Sequence, residues 1–193
     1  IRDSIFADLE ATGLMQHVFP HLVPLVGLEQ NAYHHLDVWS RTLLTLEELD
    51  RIISDPGEVF PGHEEHILEH LEEPLQDLYP RKAFLRLAAL YHDAGKALTV
   101  TRDAAGRIHF YSHQKFSRDA AAELARRLRL SRRAGDYVVG VVGGHMDIGL
   151  AMAEQPTRRL LRRLLARLGD ELVDVVLLST ADRRATRGPL STC

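Results

Sequence analysis

The chain has 193 residues, 45% hydrophobic and 26% charged, with a formal net charge of −3 at pH 7. That length suits one domain with a sizeable core, and the composition is ordinary for a soluble globular protein. No run approaches the ~20 apolar residues of a membrane span, and the only cysteine, Cys193, excludes an internal disulfide. The expected location is cytoplasmic, because no basic-then-apolar leader opens the chain. Starting at Ile1 and stopping shortly after Gly188-Pro189, the sequence is expected to be a piece of a longer protein. Its charge is uneven, −10 over residues 1–96 and +7 over 97–193, with arginines clustered at 126–133 and 158–163. Arginine suits phosphate, but two solvated helix faces account for the same pattern.

Ile5, Phe6, Leu9, Leu14, Met15 and Val18 suggest one or two short helices broken at Gly13, followed by a connector punctuated by Pro20 and Pro24. Leu36, Trp39, Leu43, Leu46, Leu49 and Ile53 recur at steps of three and four, predicting a helix over 34–54. Asp55-Pro56-Gly57 stops it. The acidic stretch 61–80, with an apolar stripe of Ile67, Leu71, Leu75 and Leu78, reads as a surface helix whose solvated face carries His63, His66 and His70. Another helix is expected over 82–93. Around 98–111, Leu98-Thr99-Val100-Thr101 and Arg107-Ile108-His109-Phe110-Tyr111 flank a turn-like Asp103-Ala104-Ala105-Gly106, which predicts a small hairpin. Ser112 is a candidate cap for a helix over 113–129, and further helices fit 131–144, 156–168 and 170–183. The expected class is all-α with at most one small hairpin.

The chemistry gathers where the helix over 82–93 runs into His92-Asp93-Ala94-Gly95-Lys96. Imidazole and carboxylate are both good ligands for divalent metals. Gly95 would allow a sharp turn, leaving Lys96 to face an anion. His113 opens a predicted helix, His145 follows Val141-Val142-Gly143-Gly144, and Asp182 closes the apolar run 175–181. A carboxylate behind so apolar a stretch needs a partner; a metal, or Arg183 and Arg184, would each supply one. Together these residues would make a multi-ligand metal site assembled from several helices.

His92-Asp93-Ala94-Gly95-Lys96 resembles the His-Asp-x-Gly-Lys signature of the HD-domain metal-dependent phosphohydrolases. Further blocks in the same order are similar to the C-terminal HD region of bacterial tRNA nucleotidyltransferase/poly(A) polymerase family proteins. They are residues 31–39, 86–96, 106–113, 127–131, 145–146 and 181–188. The resemblance implies an HD helical bundle over 31–193, with 1–30 as a helical segment packed on it or leading into it. It implies metal ligands at His92, Asp93 and Asp182, extra ligands at His113 and His145, and a substrate-phosphate contact at Lys96. The cofactor would be a divalent ion: Mg, Mn, Ni, Co, Fe or Zn.

Position 41 departs from the family pattern, which commonly has a histidine there. Arginine has no lone pair to offer a metal. Three roles are open. His34 or His35 reaches in from roughly 10 Å along the helix; Arg41 binds substrate phosphate over a site with one metal; or the site has decayed. His34, Asp37 and Arg41 share a helical face, so an Asp37–Arg41 pair is a further possibility. A second, softer departure is Asp147, where a basic or neutral residue is expected.

The function expected from this set is divalent-metal-dependent hydrolysis of nucleotide or RNA-terminal phosphate esters. Asp93 and Lys96 would be catalytic, and Arg41, Lys96 and Arg183 would bind substrate. The alternative is a catalytically impaired HD module that binds or supports tRNA beside a nucleotidyltransferase head. These residues hold no Gly-Ser loop followed by a paired-aspartate motif, so nucleotidyl transfer is not expected of them. No membrane partner is expected.

Overall fold

The computed structural model describes residues 2–30, 36–153 and 157–186. The chain folds into helices α1 (Arg2–Ala11), α2 (Met15–Val18), α3 (Val38–Ser54) and α4 (Glu64–Glu72). A short strand pair β1 (Pro74–Gln76) and β2 (Tyr79–Pro80) leads into α5 (Arg81–Tyr91) and α6 (Lys96–Thr99). Strands β3 (Val100–Arg102) and β4 (Ile108–Phe110) follow, then α7 (His113–Arg127), α8 (Arg132–Ala153), α9 (Arg158–Leu168) and α10 (Leu172–Thr186). The all-α class expected from periodicity is what the structure has.

The core lies between α3, α5, α8 and α10, with α7 along α8. Leu49, Ile52, Leu85, Ala88, Leu124, Val138, Val141, Val175 and Leu178 are all buried there. In α3 the buried positions Val38, Trp39, Thr42, Thr45, Leu46, Leu49, Ile52 and Ile53 form one stripe. The helix starts at Asp37, whose Oδ1 accepts from the Ser40 amide at 2.7 Å and whose Oδ2 accepts from the Gly27 amide at 2.5 Å. Such a cap satisfies one orphan amide of the first turn. Leu36 therefore precedes the helix, and the predicted start near 34 lies outside the described residues. Trp39 is core, and Phe6 of α1 packs edge-on against it at 5.3 Å.

The structure differs from the periodicity reading in four places. The helix expected over 61–80 ends at Glu72, since Pro74 cannot continue it, and β1 and β2 form a second strand pair beside the expected β3–β4 pair. His70 is buried rather than solvated, while His63 and His66 are exposed. Ser112 sits at the start of α7 with φ of 60° and makes no side-chain cap. Finally, α8 does not stop at Gly143-Gly144 but runs on to Ala153. There the glycines allow close packing, not termination: a Cβ on Gly144 would lie 2.9 Å from Leu168 Cδ2 and 3.2 Å from Val175 Cγ2.

Candidate metal centre

Burial of Phe84, Leu85, Ala88, Ala89 and Tyr91 carries the C-terminal end of α5 into the middle of the bundle. The next residues, His92 and Asp93, consequently emerge inside the protein, 0% and 3% exposed. Gly95 serves differently from the sharp turn expected of it. Its φ is −74°, a value any residue adopts. What it provides is room: a Cβ there would press on the His113 carbonyl and lie 2.6 Å from the Ser117 amide nitrogen and 2.8 Å from Phe116 Cβ. The Gly95 amide donates to Ser117 Oγ at 2.9 Å, fastening the motif to α7.

Three elements aim histidines at this point. His92 follows α5, His113 begins α7, and His145 lies in the interior of α8, not at a helix end as expected. Each ring places Nδ1 on the carbonyl three residues earlier: His92 on Ala89 at 2.7 Å, His113 on Phe110 at 3.0 Å and His145 on Val142 at 2.7 Å. A carbonyl can only accept, so Nδ1 carries the proton and the neutral ring keeps a lone pair on Nε2. All three Nε2 atoms are buried without a hydrogen-bond partner.

Asp93 divides the site. Its Oδ1 lies 3.2 Å from His113 Nε2 and 4.0 Å from His145 Nε2. Its Oδ2 lies 3.2 Å from His92 Nε2, whose ring is also 3.4 Å from Asp182 Oδ1. Two sets of donor atoms result, Asp93–His113–His145 and His92–Asp93–Asp182, each with its atoms within 4.8 Å of one another. All five residues expected to be metal ligands are thus brought together.

Two cations stand on the Oδ2 side. Lys96 Nζ lies 2.8 Å from Asp93 Oδ2, and Arg41 Nη1 lies 3.6 Å from the same oxygen. Arg41 Nη2 donates to Asp182 Oδ1. The partner of Asp182 is therefore Arg41, from α3, and not Arg183 or Arg184. Asp37 is taken up by its capping role, which removes the Asp37–Arg41 side-chain pair; His34 and His35 lie outside the described residues. Gln30 Oε1 accepts from both cations, at 3.2 Å from Arg41 Nη1 and 3.0 Å from Lys96 Nζ. Burial opposes the charge on His92, but Asp93 and Asp182 outweigh it and push the metal-free ring up to about 10. Burial and the His92 charge push His145 down to about 4. Burial alone would raise Asp93, yet His92 and Lys96 hold it well below the usual carboxylate range.

Arg183 is exposed on α10, and among the described residues it has no hydrogen bond or ion pair to the cluster. Asp147, flagged as a departure, is ion-paired with Arg167 of α9. Sequence reasoning missed Gln30, which sits in a connector with no periodicity. It also missed a second polar centre, where the fully buried Asp174 accepts from Tyr137 Oη at 2.8 Å and Arg81 Nη1 at 3.3 Å and meets His70 Nε2 at 2.9 Å. A histidine and an aspartate each on an otherwise apolar face were the available signal.

The HD domain family model matches residues 63–186, a span holding His92, Asp93, Lys96, His113, His145 and Asp182. The chain belongs to the HD domain family. Within curated proteins it is similar to the CC-adding tRNA nucleotidyltransferase of Thermus thermophilus, 36% identical over 181 residues, 93% of this chain and 35% of that protein. It is similar to the A-adding tRNA nucleotidyltransferase of Deinococcus radiodurans, 30% identical over 95% of this chain and 36% of that protein. A multifunctional CCA protein of Actinobacillus pleuropneumoniae is 28% identical over 95% of this chain and 39% of that protein. The chain spans little more than a third of the length of these relatives. The HD domain donor set fits a divalent ion on its own chemistry: three buried, unpartnered imidazole nitrogens converge on a carboxylate, each ring oriented by a carbonyl as metal-binding histidines are. No helix among the described residues is long and apolar enough to cross a membrane.

Proposed function

We propose that this HD domain hydrolyses nucleotide or RNA-terminal phosphate esters with the help of a divalent metal ion. The carrying observation is the convergence of three unpartnered Nε2 atoms on Asp93. His92, Asp93, His113, His145 and Asp182 are the donors available to a divalent ion, in two sets that share Asp93; bound there, an ion would polarise the ester and bring a water to the threshold of ionisation near neutral pH. Asp93, at the centre of the donors, accepts the proton of the attacking water. Lys96 and Arg41 face the same carboxylate and offset negative charge growing on the phosphoryl oxygens. Arg183, exposed one residue beyond Asp182, reaches the remainder of the substrate. The tRNA-directed names of the relatives support nucleotide or RNA ends as the substrate class, tRNA as a partner and a cytoplasmic setting. We place the HD domain over 31–193 with 1–30 packed on it; the Phe6–Trp39 contact supports this, and the family match begins later, at 63.

The test is a panel of 2′,3′-cyclic phosphodiesters, 2′-nucleotides and terminally phosphorylated RNA, assayed with Mg, Mn, Ni and Co. Metal-dependent turnover that disappears in Asp93→Ala supports the proposal; no turnover from folded, metal-supplemented protein overturns it. A second reading, a non-hydrolytic module that binds tRNA, is favoured by one observation. Arg158, Arg159, Arg162 and Arg163 are exposed on α9, with no hydrogen bond or ion pair among the described residues. That reading predicts RNA binding that weakens steeply with salt and no bound metal.

A further inference from the structure

The two donor sets around Asp93 are not equivalent. The Nε2 atoms of His113 and His145 are unpartnered, as is that of His92; what differs is that among the described residues no lysine or arginine pairs with Oδ1 of Asp93, which meets only His113 and His145. At His92–Asp93–Asp182 the corner is already occupied. Arg41 Nη2 is bound to Asp182 Oδ1, the same oxygen that faces His92, and Arg41 Nη1 and Lys96 Nζ lie on Oδ2 of Asp93, the oxygen facing His92. Both oxygens that this corner would offer an ion are thus engaged by fixed positive groups.

This arrangement is held rigidly. Arg41 is buried on α3, and Gln30 accepts from both cations, so moving either one breaks a buried hydrogen bond. Arginine stays protonated at any working pH, and here burial opposes its charge but Asp182 and Asp93 outweigh it. The fixed charges of Arg41 and Lys96 balance those of Asp93 and Asp182. A divalent ion placed in this corner would displace a paired guanidinium and meet its repulsion at a few ångströms in a poorly screened interior.

Resting on the metal-dependent reading above, we propose that Arg41 stands in for a divalent ion at the His92–Asp93–Asp182 corner. The protein accordingly takes a single ion, at Asp93–His113–His145. Arg41 is in this role a specificity-determining residue for metal number. Its Nε–H, buried without a partner, is a donor left over for an anion brought in beside the ion.

The test is Mn2+ titration of the protein after chelator treatment, with stoichiometry from equilibrium dialysis and metal analysis and with Mn2+ paramagnetic resonance to detect coupled ions. The wild type is expected to bind one equivalent with no exchange coupling, and Arg41→His to bind a second equivalent coupled to the first. Two variants that keep Arg41 locate the ion independently of how well Arg41→His folds. His113→Ala is expected to lose the ion and Asp182→Asn to keep it, each checked by circular dichroism and thermal melting. Two equivalents in the wild type, or retention in His113→Ala with loss in Asp182→Asn, would overturn the inference and leave the phosphohydrolase reading standing. An Arg41→His variant that folds but binds no second ion would overturn it as well. No Mn2+, Ni2+ or Co2+ bound to the folded wild type would remove the metal-dependent reading and the inference with it.

Discussion

Replacing Gly95 by alanine inserts one methyl group where the HD motif crosses α7. The new Cβ would fall 2.6 Å from the Ser117 amide nitrogen and 2.8 Å from Phe116 Cβ, with the His113 carbonyl closer still. Two of those neighbours are backbone in the first turns of a helix and cannot rotate away. The chain must separate from α7, straining the packing by about 1–3 kcal/mol. Separation also stretches the 2.9 Å hydrogen bond from the Gly95 amide to Ser117 Oγ, which contributes about 1 kcal/mol. The expected loss is about 2–4 kcal/mol, lowering the melting midpoint by about 4–16 °C for a chain of this size. Urea unfolding followed by circular dichroism measures it. Asp93 lies two residues before Gly95 and His113 begins α7, so the same separation pulls Oδ1 away from His113 Nε2. Mn2+ affinity should fall with stability, by about 10–100-fold as for other changes that disorient ligands. Gly149→Ala is the control: nothing lies within 4 Å of a Cβ there, and alanine in an open helical position should stabilise α8 by about 0.5–1 kcal/mol. A Gly95→Ala loss below about 0.5 kcal/mol would refute the close-packing role assigned to this glycine.

Asp174→Ala strands the Tyr137 hydroxyl and removes one of the two carboxylates of the buried Arg81; urea unfolding should show a loss of about 3–5 kcal/mol, and a loss under about 1 kcal/mol would count against this centre. Glu171 is pushed up to about 7 by burial and by Asp174, so the folded state holds its proton between the ordinary value of 4.5 and about 7 while the unfolded chain releases it. Stability therefore falls as pH rises through that window, and Glu171→Gln should gain melting temperature over the wild type progressively from about pH 4.5 to 7 and keep a constant lead above it; a lead independent of pH would contradict the assignment.

Much of the fold was readable because helices bury stripes, and stripes are local. The steps of three and four through Trp39, Leu46, Leu49 and Ile53 are enough to place α3, and the turn residues 103–106 to place the β3–β4 pair. Stop signals were less dependable. Gly143 and Gly144 look like a helix end in one dimension, yet in the bundle they face Arg118 of α7, Leu168 of α9 and Val175 of α10, whose side chains an added Cβ would crowd. Polar partners separated along the chain were the least legible. His70 and Asp174 are 104 residues apart, so no local pattern shows that they meet. Arg41 shows both sides of this. Its oddity was visible against the family pattern, but its role depends on Asp182, 141 residues away, and on Gln30, which no periodicity marks. With those contacts in place, two carboxylates and two fixed cations are paired inside the bundle, so the Arg41 corner of this HD domain is occupied before any ion arrives. That sets it apart from small domains whose fold is supplied by a metal. It leaves the unpartnered Nε2 atoms of His113 and His145 as the part of the centre whose burial an ion would repay.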